Sequence, residues 1–212
     1  MRKLLLLIVF GVVFLPCARA QETPAYEAFV GASYAREDFN NARFINGVGW
    51  HVSAAGNANS WIGAVFDFSG NFSSPHLTTQ QAFGLASPFT VNVNTAAYTA
   101  LFGPRFSFRH WQRVTPFGEA LVGVEHINYT SEEVGVIRPI SANAFAAGLG
   151  GGVDVPVNHL LSIRAVEADY LPSLFREIQI DPRTGFPGFV GERRMQQNVR
   201  VSVGFVLTFG RK

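Results

Sequence analysis

From residue 198 to 210 the chain reads NVRVSVGFVLTFG, and every second position is apolar: Val199, Val201, Val203, Phe205, Leu207 and Phe209. The residues between them, Asn198, Arg200, Ser202, Gly204, Val206 and Thr208, are mostly polar or small. A period of two sustained over this length predicts a β-strand with one greasy face and one wet face. The same alternation marks residues 26–34, 48–56, 61–69, 98–108, 119–125, 144–153 and 162–170, so eight strands are expected. A bilayer-spanning strand needs about 9–11 residues, and most of these segments meet that length. Large side chains on one face and small polar ones on the other fit a barrel with lipid outside and a polar interior. The connections after the first, third, fifth and seventh strands are long, and those after the second, fourth and sixth are short. Short periplasmic turns and long outer loops follow that rule in outer-membrane barrels, which puts both termini on the periplasmic side. The expected fold is therefore all-β: an eight-stranded antiparallel up-and-down transmembrane β-barrel with short periplasmic turns and long extracellular loops.

Two places break the simple pattern. In the seventh strand Ser162 and Arg164 share one phase, whereas Glu167 and Asp169 share the opposite one. One extra residue reverses the side-chain register, so a bulge near Ala165-Val166 would turn all four inward. In the fourth strand Pro104 has no N–H to give to a ladder, and a bulge or irregularity is expected there. Aromatic residues gather at predicted strand ends, with Tyr26, Trp61, Phe108, Trp111 and Phe209 at one end. Tyr34, Trp50, Tyr98 and Tyr170 mark the other, as interfacial girdles do. Eight strands leave an interior only wide enough for side chains, so an open pore is not expected.

Residues 1–20 stand apart. Arg2 and Lys3 precede the apolar run 4–15, and Ala18-Arg19-Ala20 supplies a small-x-small cleavage site. This is the pattern of a cleaved secretory signal peptide, leaving residues 21–212 as one barrel domain. Removing Arg2, Lys3 and Arg19 takes the 17 basic residues to 14 against 15 acidic ones, so no nucleic-acid footprint remains. The single cysteine, Cys17, leaves with the signal, and disulfide or thiolate chemistry leaves with it. Only 15% of residues are charged while Phe and Gly number 20 and 21, a balance that suits a lipid-facing surface.

The segments NGVGWHVSAAGNANSWIGAVFDFSG, FGPRFSFR, VTPFGEALVG, GLGGGVDV and IRAVEADYL together resemble small outer-membrane β-barrels. In design the chain is similar to the OmpA transmembrane domain and to opacity-type, porin-like surface barrels. No peptidoglycan-binding domain follows the last strand, so a cell-wall tether is not expected. The resemblance implies the outer membrane of a Gram-negative-type cell, contact with its lipids and lipopolysaccharide, insertion by the barrel-assembly machinery, and a monomer. It supplies no reaction and no extracellular ligand.

The strand phases turn Asp67, Arg105, Glu119, Glu125, Arg164, Glu167, Asp169 and Arg200 inward, together with Glu27 and His51. Charges inside a narrow barrel need partners, because isolated burial costs several kcal/mol per ion. A structural ion-pair network is expected, with a narrow ion path as the sharper alternative. The histidines show no metal-ligand spacing, and Gly148-Leu149-Gly150-Gly151-Gly152 lacks the residues of a phosphate loop. Small residues facing a crowded lumen account for it, and no cofactor is expected. The last long loop carries Arg183, Phe186, Phe189, Arg193 and Arg194 around the turn signal DPRTGFPG. Its aromatic-cationic character suits a surface partner or lipopolysaccharide phosphates. The function expected is structural, adhesive or surface-binding, through the loops. An enzyme modifying lipid A or phospholipid is the alternative, with His126 near Ser131, Glu132 and Glu133, or His76 near Ser73 and Ser74, as its candidate residues.

Overall fold

The structure is a computed structural model that describes residues 23–39, 43–74, 76–78, 90–111, 113–133, 136–180 and 187–211. The proposed signal segment, residues 1–20, lies outside the described residues. Alternation yields strands throughout: β1 (Pro24–Phe39), β2 (Arg43–Asn57), β3 (Ile62–Ser73), β4 (His76–Thr78), β5 (Thr90–Ser107), β6 (Thr115–Glu133), β7 (Val136–Pro156), β8 (Leu161–Ile180) and β9 (Pro187–Arg211). Each long strand pairs antiparallel with its sequence neighbour, β1 pairs with β9, and β3 pairs with β5, so eight strands close into a barrel. The three-residue β4 extends the sheet beside β5, from His76↔Asn92 to Thr78↔Thr90. Closure leaves no edge among the eight strands, so every spanning backbone group can be paired within the sheet.

Three of the long connections are themselves mostly strand among the described residues. β1 and β2 remain paired up to Phe39↔Arg43, and β6 and β7 up to Glu133↔Val136. β8 and β9 remain paired as far as Ile180↔Pro187. Strands of 15 to 25 residues on either side of these connections outrun the bilayer requirement. The alternation is harder to read there because the outer face mixes polar residues such as Arg36, Asn46 and Arg176 with apolar ones, while the inner face still buries Ala35, Ile45, Ile127, Tyr129 and Phe175 and the backbone ladder continues. Short turns at the opposite end are closed by asparagines. Asn59 Oδ1 accepts from the backbone N–H groups of Trp61 and Ile62 at 3.0 Å each, and Asn158 Oδ1 accepts from Leu160 and Leu161 at 2.8 and 2.9 Å.

The β8 bulge is present. Asp154 pairs with Arg164 and Val153 with Val166, which leaves Ala165 as the inserted residue on the β7 side. On the β9 side Arg164 and Glu167 span only Gly204 to Ser202. Ser162, Arg164, Glu167 and Asp169 are all buried as a result. Pro104 behaves differently from a bulge. It pairs with Ala64 on β3, but pairing with β6 lapses between Phe102↔Val122 and Arg105↔Glu119 and resumes in the same register. The missing N–H therefore interrupts a ladder without inserting a residue.

The barrel wears its apolar side chains outward. Val30, Phe66, Phe102, Val124, Phe145 and Phe205 are exposed on the outer face. Trp50 packs edge-on against Phe68 at 5.1 Å between ring centres, and Phe72 against Tyr98 at 5.9 Å, pairs that brace neighbouring strands. Tyr26, Trp61, Phe108 and Phe209 at the short-turn end and Tyr34 and Tyr170 higher up are also exposed. Val30 sits midway between Tyr26 and Tyr34 on β1. Val30→Arg is expected to cost about 2–4 kcal/mol in a bilayer, as a cation at the midplane does. Equilibrium unfolding in lipid vesicles reads that loss; an unchanged midpoint would mean that this face does not meet hydrocarbon.

Inside, the lumen is filled. Ala55, Val65, Leu101, Leu121, Ala146 and Leu171 form one apolar cluster. Ile45, Ala97, Ile127, Tyr129, Ala144 and Phe175 form a second, nearer the long-hairpin end. The glycines of β7 make room for them: a Cβ on Gly148 would press on Leu101, Leu121 and Leu171, and one on Gly152 on the Phe117 ring.

Candidate functional site

Three arginines organise the lower lumen, each opposite a carboxylate on a neighbouring strand. Arg105 faces Glu119, Asp154 faces Arg164, and Asp169 faces Arg200 in the sheet register. Cross-strand partners on one face stand close enough for opposite charges to meet. Arg105 Nε donates to Glu119 Oε2 at 3.0 Å. Arg164 grips Asp154 with both Nε and Nη2, at 2.8 and 3.0 Å. Arg200 reaches Asp169 Oδ2 through Nε at 3.0 Å and Nη2 at 2.8 Å.

Longer links tie these pairs together. Arg200 also crosses the lumen to Asp67 on β3, donating from Nη1 and Nη2 to its two oxygens at 3.0 and 2.9 Å. Arg164 Nη1 donates to Glu167 Oε2 at 3.0 Å, a contact within β8 that exists only because the bulge turns both residues inward. The Arg164 guanidinium lies over the rings of both Phe29 and Phe117, at 4.4 and 4.3 Å from their centres. Arg105 stands over the Phe117 ring at 4.6 Å. Desolvated guanidiniums on aromatic faces gain a cation–π attraction that a hydrated ammonium would realise less well. At the short-turn end Arg109 pairs with Glu27, which also accepts from Asn57 Nδ2 at 2.8 Å.

His51 occupies the centre. Its Nε2 contacts Asp67 Oδ2, and its Nδ1 lies 3.1 Å from Ser202 Oγ and 3.5 Å from Glu167 Oε2. Serine, histidine and aspartate in contact are the residue set of an activated nucleophile. Here Phe29 packs edge-on to the imidazole at 4.8 Å, and His51, Asp67 and Ser202 are at most 1% exposed. No reacting carbonyl can reach Ser202 Oγ. Two donor groups, His51 with Asp67 and Glu167, and Glu119 with Glu167 and Asp169, each bring ligand atoms within 4.8 Å of one another. In both groups every carboxylate is already engaged by Arg105, Arg164 or Arg200. The chemistry of the arrangement is ion pairing and cross-bracing of the wall.

Seven of the eight inward charges read from strand phase enter this network. Glu125 is buried too, opposite Thr99 and Ala144, but makes no ion pair among the described residues. Asp154 and Arg109 are network members that strand phase had not singled out. Both continue an inward phase already visible, Asp154 after Gly148, Gly150 and Gly152, and Arg109 after Arg105 and Ser107. The aromatic partners Phe29 and Phe117 carried no such signal, since a phenyl ring in a polar lumen runs against the alternation.

At the long-hairpin end the loop residues separate. Arg183 and Phe186 lie outside the described residues, and Phe189 is placed by its backbone opposite Ile178. Arg194 Nη2 donates to Asp38 Oδ2 at 2.8 Å, tying β9 to β1. Arg193 is exposed and stands opposite Arg176. Arg36 stacks over Phe44 at 4.2 Å. His126 is on the outer face with Nδ1 at 2.6 Å from Asn143 Oδ1. His76 is placed by its backbone in β4.

No protein-family model matches the chain, and no curated protein is similar to it in sequence. Solved structures are similar in fold. The attachment invasion locus protein Ail of Yersinia pestis superposes with a TM-score of 0.55 at 13% identity, over 88% of this chain and 100% of that one. Neisserial surface protein A gives 0.53 at 14% identity, over 87% of this chain and 97% of that one. OprG of Pseudomonas aeruginosa, an outer membrane protein, gives 0.51 at 10% identity over 90% and 99%. The fold is that of the small outer-membrane β-barrels.

Proposed function

We propose that the protein spans a bacterial outer membrane as a closed, monomeric barrel and works through its long-hairpin end, as a structural and surface-binding element. The observation that carries this reading is the division of the wall: exposed Phe, Val and Leu outside, and paired charges with packed apolar side chains inside. Such a wall is stable only with hydrocarbon around it. The short-turn end, where β1 begins and β9 ends, then faces the periplasm, and the extended hairpins face outward.

The filled lumen favours a bracing role over conduction, since the ion pairs and the Ile45–Phe175 cluster occupy the path an ion would take. A barrel of this fold can serve attachment: the Yersinia pestis Ail protein bears that name, and its structure is known with the heparin analogue sucrose octasulfate. The protein's partners are accordingly outer-membrane lipids, lipopolysaccharide and a surface ligand.

Fractionation with gel mobility tests the placement. The protein is expected in the outer-membrane fraction, running faster unboiled than boiled because the closed barrel resists detergent. Recovery in the soluble periplasm with unchanged mobility would overturn the reading. Lipid A mass spectra that gain or lose an acyl chain when the protein is expressed would replace binding with catalysis.

A further inference from the structure

Toward the hairpin ends the barrel wall stops being continuous. Among the described residues β1–β9 pairing ends at Arg36↔Val199 and β7–β8 pairing at Phe145↔Leu174, while the strands themselves run on. Side chains take over there. The Asp38 N–H donates to Asn198 Oδ1 at 2.9 Å, and Arg194 Nη2 donates to Asp38 Oδ2 at 2.8 Å. Asn198 Nδ2 donates to Ser173 Oγ at 3.3 Å, and Ser173 in turn hydrogen-bonds Glu125. One run of polar contacts thus joins β1, β9, β8 and β6 where two backbone ladders have ended.

In the same part of the lumen two carboxylates face each other without a counter-ion. β1 and β6 are four strands apart in either direction around the barrel, so they form opposite walls. Glu37 continues the inward phase of β1, opposite Ile45, and Glu125 is buried on β6. Glu37 lies within reach of the Glu125 charge, and both lie within reach of the Tyr129 hydroxyl. The other titratable groups turned this way are Asp38 on β1, Glu177 on β8 and Arg194 on β9, and that guanidinium is taken by Asp38. Among the described side chains β2, β3, β5 and β7 turn only neutral ones inward here, such as Ile45, Asn71, Thr95 and Ala144. Two carboxylates facing one another in a low-dielectric lumen cannot both ionise in place.

We infer that Glu37 and Glu125 form a proton-operated latch that holds the hairpin end of the barrel closed. A proton carried by the pair keeps the opposite walls together. Its release to solvent sets two like charges across the lumen, and the β1–β9 and β7–β8 seams yield first because no ladder closes them. Glu37 stands three residues beyond Tyr34, outside the belt. Burial first, and the Glu125 charge second, push its carboxyl up to about 8. An acid raised in this way stabilises the closed form at low pH and stops doing so as pH climbs to that value. The latch regulates the surface-binding end proposed above and rests on that reading for its consequence alone.

Proteinase K digestion of the refolded mature barrel tests the latch, with cuts mapped by mass spectrometry and rates divided by those of an unfolded peptide at each pH. When opening equilibrates faster than cleavage, the cutting rate reports the open population. From about pH 6 to about pH 8 the hairpin ends of wild type are expected to be cut about tenfold to a hundredfold faster, as release of one proton on opening requires. E37Q/E125Q, which keeps the shapes and removes the charges, is expected to be cut slowly at both. The mobility of the unboiled barrel reports whether it is folded, and E37Q alone carries the same expectation if the double variant does not fold. Equal acceleration in wild type and the folded variant, or none in wild type, would overturn the latch. Protection of wild type at the higher pH by calcium, but not by sodium at equal ionic strength, would replace the proton with a metal cation and overturn it too. An outer-membrane barrel without the pH response sinks the latch alone; a soluble chain that shows it sinks only the placement.

Discussion

Replacing Asp67 with alanine is expected to destabilise the barrel by about 3–5 kcal/mol, the cost of breaking a buried ion pair from one side. Asp67 accepts two hydrogen bonds from Arg200 and contacts His51, with none of the three side chains reaching solvent. Removing the carboxylate leaves a buried guanidinium with only Asp169 to balance it and an imidazole with one partner fewer. The urea midpoint for unfolding from lipid vesicles should drop accordingly. Removing both carboxylates together with the arginine, as in D67A/D169A/R200M, should recover part of the loss, because the loss of Asp67 and Arg200 then leaves no unpaired Asp169 behind. The coupling between Asp67 and Arg200, read as a double-mutant cycle, should be well above the few tenths expected of independent positions. Additive effects would mean that the cross-lumen link contributes nothing, and the bracing role given to the network would fall.

A second large effect is expected at a residue with no side chain. Gly150 lies on the inner face of β7 opposite Asp169. A Cβ added there would overlap Asp169 Oδ1 and come within 2.9 Å of the Ala168 carbonyl oxygen. The carboxylate must leave its place, which loosens its grip on Arg200, and the backbone contact cannot yield as a flexible chain end would. Gly150→Ala is therefore expected to cost about 1–3 kcal/mol for overpacking alone, with the weakened ion pair in addition. Gly118→Ala is the control, since its added Cβ meets nothing nearer than the Gly150 carbonyl oxygen at 3.7 Å. That change should stay within about 0.5 kcal/mol. If the damage runs through Asp169, then Gly150→Ala should cost less in a D169A background than in wild type. Equal costs for G150A and G118A would remove the steric argument for the glycine-rich face of β7.

The sequence pattern alone determines much of this architecture, because strand identity and face are local. Period-two alternation places the eight barrel strands, and the phase break between Arg164 and Glu167 marks the β8 bulge, since one inserted residue has one geometric consequence. Where the outer face turns from apolar to mixed the pattern weakens, and the extents of β6, β8 and β9 beyond the belt come from backbone pairing that side chains do not advertise. The register shift between Arg176 and Ile178 is likewise a property of two strands together.

Phase also names the inward charges, but not their partners. Arg200 and Asp67 are separated by 133 residues, and they meet only because the barrel closes with a particular stagger. Closure likewise brings the rings of Phe29 and Phe117 to one guanidinium and His51 to both Asp67 and Ser202. Pairing across a lumen depends on the diameter and shear of the closed wall, quantities that belong to all the strands at once and to no segment by itself.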